Sequence, residues 1–459
     1  MALTTFDEYF IHQTGDPIDT VADPNPHFMD RCWFGCHSDD GNLYIAAGLG
    51  TYPNVGGHGV MDASFCVLHE GVQRNFRASR HIVHGGTATD RNVTRIGPFS
   101  LFIVEPFKRF RLELEDNEFG ISAAIDFEAR VTPFLYNKLD VPQHPMTHFT
   151  QLGRFDGQVT TGGRTVAVEQ LPGVRDRTWG VRGKGLMRHV EAYFWVMAHL
   201  EGCCLNFTFF HVPVPGNNYL LQDGAIMHDD GSVTRLVAAR HRFHFTDETD
   251  RAGSTRLWDR AEFEFDDANG RTWRLEARAL AHPFYNAGQG YDDRHGLDCG
   301  PLHVEGETWD LTQPETLRQL RRTGDDRWHF DIHDRPVALT LDGVQGVGLV
   351  NSVCGPVDGW VYRPADAVDQ ADAWLTTMPA IGWRPTHQDA VMCCGMSCCA
   401  RSGVQPRRAS VWSTAHGKSA GRLFGSAQPR VGMFCPDEIG RRCRGARKVS
   451  DEGNSHEDI

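Results

Sequence analysis

Between residues 28 and 385 apolar and polar side chains alternate in short runs, broken repeatedly by Gly, Asn and Asp. A period of two marks strands with one buried and one wetted face. In FRLELED, Phe110, Leu112 and Leu114 share one face and Arg111, Glu113 and Glu115 the other; AEFEFDD sets Phe263 and Phe265 together in the same way. Many such strands with turn residues between them predict an all-β chain of antiparallel barrels or sandwiches. Helical periodicity is scarce. The clearest helix lies in TQPETLRQLRRTG, with Thr312 expected as its cap and Glu315 three residues further on.

One stretch of the pattern occurs twice. RLELEDNEFGISAAIDFEARVTPF begins at residue 111 and EFEFDDANGRTWRLEARALAHPF at residue 262. Each runs from an alternating strand through an acidic Asn/Gly turn to a second strand holding Glu-Ala-Arg and a closing Pro-Phe. The lag of about 150 residues suits one barrel. The expected organisation is an extension over 1–25, two tandem antiparallel barrels over 26–170 and 171–385, and a tail over 386–459.

The tail differs in chemistry. Residues 390–459 carry 11 Lys and Arg against 6 Asp and Glu, a net of +5, which leaves −18 on residues 1–389 of the chain's −13. The tail also holds six of the 13 cysteines and shows no strand or helix period, so it reads as disordered. Cys393, Cys394, Cys398 and Cys399 could hold a soft metal, but adjacent cysteines seldom share one tetrahedral centre. Cys32 and Cys36 lack a second Cys/His pair at zinc-finger distance, and no metal is expected.

An acidic body argues against nucleic acid as a partner, since that needs a clustered positive field. The N-terminus lacks the apolar core and small-residue site of a secretory signal, and no run approaches the roughly 18 apolar residues of a membrane-spanning helix. An odd cysteine number at irregular spacing suits free thiols. A cytoplasmic protein is the expectation, with unknown oligomeric state. No P-loop, GxSxG, HExxH or strand-GxGxxG-helix pattern is present, so no bound cofactor is expected.

Two segments concentrate reactive side chains. LPGVRDRTWGVRG brings Arg175, Asp176, Arg177, Trp179 and Arg182 into one short stretch; it reads equally as an oriented acid with a carboxylate clamp or as a salt-bridged lid. Next, RHVEAYFWVMAHL alternates His189, Glu191, Tyr193, Trp195 and Met197 against a wholly apolar face. That polar-aromatic face lines either a cavity or solvent, and a desolvated Glu191 would have a raised pKa. A second segment, AHPFYNAGQGYDDRHGLDCG, carries His282, Tyr285, Tyr291, Asp292, Asp293, His295 and Asp298 on a glycine-rich loop. Such a set can transfer protons or bind a divalent ion, although polar loops are common and the spacing matches no known metal motif.

NPHFMDRCWFGCHSDDGNLYIAAGLGTYPN, GPFSLFIVEPFKRFRLELEDNEFGI and above all VRDRTWGVR resemble the tandem lipocalin-like superfamily of carotenoid 1,2-hydratases (hydroxyneurosporene synthases) and Diels-Alderase-type cyclases, over roughly residues 25–355. The resemblance implies two packed barrels acting on an apolar, terpenoid or lipid-like molecule without a cofactor. It also implies Asp176 and Arg177 near a pocket mouth with Trp179 beside them. The leading expectation is a hydratase, isomerase or cyclase in a barrel pocket, with Asp176 or Glu191 as acid. Arg177, Trp179, Arg182, Tyr193, Trp195, His282 and Tyr285 would contact substrate. The alternatives are a non-catalytic carrier of an isoprenoid or lipid, which needs the same cavity without a tuned carboxylate, and a scaffold whose barrels are filled.

Overall fold

Alternation becomes two antiparallel sheets in the computed structural model, which describes residues 3–10, 23–82, 92–136, 139–141, 144–182, 192–214, 217–246, 257–291, 294–320 and 332–354. The tail, including its cysteine cluster, lies outside the described residues, as does Glu191. The first sheet holds β1 (Phe28–His37), β2 (Leu43–Tyr52), β3 (Val60–His69), β4 (Val72–His81), β5 (Val93–Ile96), β6 (Phe99–Glu105), β7 (Arg109–Leu114), β8 (Ile121–Ala129), β9 (Phe134–Leu135), β10 (Leu139–Val141), β11 (His144–Thr161) and β12 (Arg164–Val181). The second holds β13 (Ala192–Leu200), β14 (Cys203–Val214), β15 (Asn217–His228), β16 (Val233–Phe245), β17 (Trp258–Asp267), β18 (Thr272–Ala279) and β19 (Phe284–Tyr285). β20 (Leu302–Asp310) returns to the first sheet, and after α1 (Pro314–Leu320) the chain completes the second with β21 (His333–Leu341) and β22 (Val344–Cys354).

Pairing of β18 with β21 and of β13 with β22 closes the second sheet into a barrel. The first sheet follows the same order with an added β5–β6 hairpin, and among the described residues its path ends at β5 and at β20, which flanks β4. The repeated sequence is the hairpin β7–β8 in one sheet and β17–β18 in the other. Each is followed by a two-residue strand, β9 or β19, paired to the next long strand, β11 or β21. Sheet membership changes after Val181 rather than at residue 170, since β12 runs through that position unbroken.

The barrel interiors are filled. Phe110, Leu112 and Leu114 pack with Phe34, Phe65 and Phe127 in the first; Phe263 and Phe265 pack with Phe194, Phe207 and Trp258 in the second. Arg111 and Glu113 pair on the outer face, 2.6 Å apart. Cys32 and Cys36 are buried free thiols in the first interior, and burial holds both pKa values high. Among the described residues neither belongs to a group of three potential metal ligands.

The helix departs from expectation at its start. Thr312 is not its cap: its hydroxyl donates to Asp310 Oδ1 at 2.5 Å, in a turn ahead of the helix. The helix opens on Pro314, whose missing N–H costs nothing at the first position.

A bulge in β12 decides which side its residues face. Phe155 of β11 stands opposite Leu171, whereas Gly157 stands opposite Val168, so β12 carries one extra residue there. Gln170 sits at φ +51°, its N–H bonded to Asp156 Oδ1 at 2.9 Å. Because side chains alternate, one extra residue exchanges the two faces beyond it. Val168 points into the first barrel, and beyond the bulge the odd-numbered residues do so.

Candidate active site

Arg175 is fully buried inside the first barrel, its guanidinium bonded to both Glu8 carboxylate oxygens and to Gln151 Oε1, and 4.2 Å from the Phe110 ring centre. Arg177 follows on the same face, 2.5 Å from Asp30 and bonded to the Glu8 carbonyl at 2.6 Å. These two arginines clamp the N-terminal turn Thr5–Glu8 over the barrel. Trp179 continues this face, edge-on to Phe149 with ring centres 6.3 Å apart.

Asp176, Thr178 and Arg182 face the opposite way, into a cavity of about 130 Å³ between the outer surfaces of the two barrels. Trp33, Met146 and His148 complete the first barrel's side; Tyr193, Trp195, Thr208, Phe210 and Asn351 supply the second barrel's side; Asn286, Tyr291 and Ile332 close it. The expected pocket inside a barrel is therefore corrected: large aromatic side chains fill both interiors, and the space lies where two convex sheets meet.

Register places each first-barrel residue. Asp176 is directly opposite Trp33 on β1 and Thr150 on β11, so these three share a face. Gly35 leaves room for the Trp33 indole, since a Cβ there would come within 2.5 Å of its ring. The indole N–H of Trp33 donates to Gln289 Oε1 at 2.9 Å and that of Trp195 to Asn206 Oδ1 at 2.7 Å. With both polar edges tied back, the rings stand 5.8 Å apart, tilted by 51°. On the second barrel, Phe194, Val196 and Ala198 point inward, which turns Tyr193 and Trp195 outward onto the cavity.

The Asp176 carboxyl has no hydrogen-bond or ion-pair partner among the described residues. The surface it retains is cavity surface. Burial pushes its pKa up to about 7, against the opposing pull of Arg31, Arg182, Arg175 and Arg177. Those arginines are committed elsewhere: Arg31 to Asp62 at 2.6 Å, Arg182 to His295 Nδ1 at 3.3 Å, Arg175 to Glu8 and Arg177 to Asp30. His148 is half-buried beside it, its pKa pushed down to about 3 by desolvation, and its Nδ1 is 2.7 Å from Thr178 Oγ1. The cavity thus offers a neutral imidazole and a carboxyl that titrates near neutrality.

Of the residues singled out in the sequence, Asp176, Arg182, Tyr193 and Trp195 meet at the cavity. Arg177 and Trp179 lie on the far face of the same strand and do not line it. Tyr285 is buried in the cluster between the barrels, with its backbone N–H on Gln73 Oε1 at 2.9 Å, and His282 is exposed near Gly71. Neither lines the cavity. Trp33 and His148 were missed; the alternation Trp33/Phe34 and His148/Phe149 carried a signal, but which face met a second barrel was not in it.

Residues 3–350 match the family described as Family of unknown function (DUF8625). No curated protein matches the sequence. Among solved structures, a protein described as AttH from Nitrosomonas europaea is 10% identical, with 72% of this chain and 94% of that chain covered and a TM-score of 0.48. Kievitone hydratase from Nectria haematococca is 11% identical over 72% of this chain and 90% of that chain, with a TM-score of 0.43. CghA with Sch210972 is 11% identical over 73% of this chain and 90% of that chain, with a TM-score of 0.46. Likeness at this level carries neither substrate nor reaction across. Among the described residues no helix is long and apolar enough to cross a membrane.

Proposed function

The chain belongs to the DUF8625 family, whose description assigns no reaction, and from the cavity itself we propose that it is a cofactor-independent enzyme that protonates a double bond of an apolar substrate, with Asp176 as the acid. One observation carries this reading: an unpartnered carboxyl, raised to about 7, in a cavity walled by Trp33, Tyr193, Trp195, Phe210 and Tyr291. A carboxylic acid kept neutral by burial can donate a proton near pH 7.

In the proposed step the acid O–H bond of Asp176 breaks and its proton goes to one alkene carbon, where the π pair forms the new C–H bond. The other carbon becomes cationic and is stabilised by the ring faces of Trp33 and Trp195. Water adding to that carbon, with its proton passed to the Asp176 carboxylate, completes hydration. Loss of a neighbouring C–H proton to the same carboxylate gives isomerisation. Attack by a second double bond, followed by that proton loss, gives cyclisation. Each route restores the acid. The volume is close to the roughly 150 Å³ of an engineered cavity that takes up benzene, so in this form the site encloses the reacting portion of a molecule rather than a full-length polyene. Terpenoid and other unsaturated lipid-like compounds are the proposed substrate class. The free thiols of Cys32, Cys36, Cys66, Cys203 and Cys204 among the described residues support the cytoplasmic reading.

The test is organic extraction of freshly purified protein with mass spectrometry of what co-purifies, followed by turnover assays on that compound. Wild type is expected to convert it, and Asp176→Asn to bind it without conversion. Conversion by Asp176→Asn at the wild-type rate would remove Asp176 from the chemistry. Binding without conversion by either protein would leave the carrier reading.

A further inference from the structure

A second cluster stands apart from the cavity-lining residues. His58, in the turn between β2 and β3, His81, at the end of β4, and Asp298, ahead of β20, converge from three distant parts of the chain. Their potential ligand atoms all lie within 4.8 Å of one another. His58 Nε2 is 3.0 Å from Asp298 Oδ2, and His81 Nε2 is 2.9 Å from Asp298 Oδ1. We propose that these three side chains bind a divalent transition-metal ion of the Zn²⁺ class.

The donor set selects the ion. Two imidazole nitrogens and one carboxylate, without thiolate, suit Zn²⁺, Co²⁺ and Ni²⁺ better than the hard ions Ca²⁺ and Mg²⁺, which prefer oxygen ligands throughout. Ligands bonded at about 2.0–2.2 Å around one tetrahedral ion lie roughly 3.3–3.6 Å from each other. The carboxylate-to-imidazole separations are already near that value, so small side-chain rotations would admit an ion. Each of the three side chains is about one-third exposed, which leaves water to fill the remaining coordination position.

The surrounding backbone is shaped for the cluster. Gly56 has φ +62°, and a Cβ there would lie 3.2 Å from Asp298 Oδ2 and 3.1 Å from His58 Nε2, so a side chain would crowd two of the three ligands. The Gly300 N–H donates to Asp298 Oδ1 at 3.0 Å and orients the carboxylate, as outer-shell donors do around bound metals. Asp298 also belongs to the segment that walls the cavity: Tyr291 lines it, Tyr291 and His295 have ring centres 4.5 Å apart, and the Gly296 N–H donates to Asp62 Oδ2 at 2.7 Å. An ion at Asp298 would pin this wall to β4 and to the β2–β3 turn.

The experiment uses full-length protein stripped with a chelator and titrated with Co²⁺, read by visible absorption. Cysteines, including those of the tail, announce themselves separately through near-ultraviolet thiolate-to-cobalt bands, whereas a His/His/Asp site gives only d–d bands. Wild type is expected to develop sulfur-free d–d absorption saturating at one equivalent, the double variant His58→Ala/His81→Ala to lack it, and Asp298→Asn to need at least about tenfold more Co²⁺. Far-UV circular dichroism checks that each variant keeps its fold; if the double variant does not, Asp298→Asn decides. Absence of the sulfur-free bands in wild type, or the same bands at the same Co²⁺ concentrations in the folded variants, would overturn the site.

Discussion

Asp176 and Arg177 are neighbours in sequence and stand on opposite sides of one strand: the Arg177 guanidinium lies inside the first barrel 2.5 Å from Asp30, while the Asp176 carboxyl faces the cavity between the barrels. The bulge at Gln170 sets this assignment. Without the extra residue, Arg175 and Arg177 would point toward the second barrel, and Asp176 into a phenylalanine-rich interior. The same displacement that pairs two buried arginines with carboxylates leaves one carboxyl unpartnered.

If Asp176 is the acid, activity belongs to its protonated form. The rate constant kcat/KM is expected to be level well below pH 7 and to fall as pH rises through about 7, where the group titrates. Asp176→Asn should lose at least about 100-fold in kcat below pH 7, where the wild-type acid is protonated, and the gap should narrow above it. A pH–rate profile of both proteins on the extracted compound checks this.

The same group makes stability depend on pH. Its folded-state pKa of about 7 lies above the unfolded value, so folding favours the protonated form. The stability this contributes is complete below about pH 4, declines as pH rises toward 7 and is gone above it. Asp176→Asn has no such proton to lose, so relative to wild type it should gain between about pH 4 and pH 7 and hold a constant lead beyond. Asp334, raised by burial to about 6, titrates in the same direction in both proteins and cancels in the comparison. Urea denaturation of the pair across this range measures the difference.

Removing Glu8 strands the fully buried Arg175 charge. Glu8→Ala is expected to cost about 3–5 kcal/mol, the usual penalty for breaking a buried pair from one side. Glu115→Ala, which loses an exposed contact to Arg95 at 3.6 Å, should cost under about 1 kcal/mol. Chemical denaturation of the two variants tests the contrast.

Gly157, opposite the β12 bulge, has φ +136°, and a Cβ there would lie 2.2 Å from the Ala124 carbonyl oxygen. Gly157→Ala should therefore cost about 3 kcal/mol or more, from conformational strain plus a clash with backbone that cannot yield. Gly163, at φ +79° with open space around it, isolates the strain alone, and Gly163→Ala should cost about 1–2 kcal/mol. Thermal unfolding of both variants gives the order.

The buried Tyr44 hydroxyl donates to Asp334 Oδ2 at 2.7 Å and so links β2 of the first sheet to β21 of the second. Tyr44→Phe removes that donor from a buried carboxyl and is expected to destabilise by about 1–3 kcal/mol. It should also raise the pH at which Asp334 titrates, because the donor favours the charged form. Carboxyl titration followed by NMR reads the shift directly.

By itself the sequence determined the class of fold, because period-two alternation is a local property of backbone geometry. Phe110/Leu112/Leu114 and Phe263/Phe265 are inward for the same reason that they alternate, and the repeated hairpin is visible because it is contiguous. It also isolated Asp176, Arg182, Tyr193 and Trp195 as chemically notable. Only the tertiary structure decided which side of each strand meets the other barrel. Arg177 looked as available as Asp176; alternation puts them on opposite faces, but a one-residue bulge decided which of the two faces the cavity, and His148 and Trp33 gained a role only because two convex faces pack together there. The unpaired state of Asp176 was equally illegible: it depends on Glu8, Asp30, Asp62 and His295, distant along the chain, each having taken an arginine. Likewise His58, His81 and Asp298 share no spacing motif, since what joins them is the pairing of β3 and β20 with β4 rather than a local pattern.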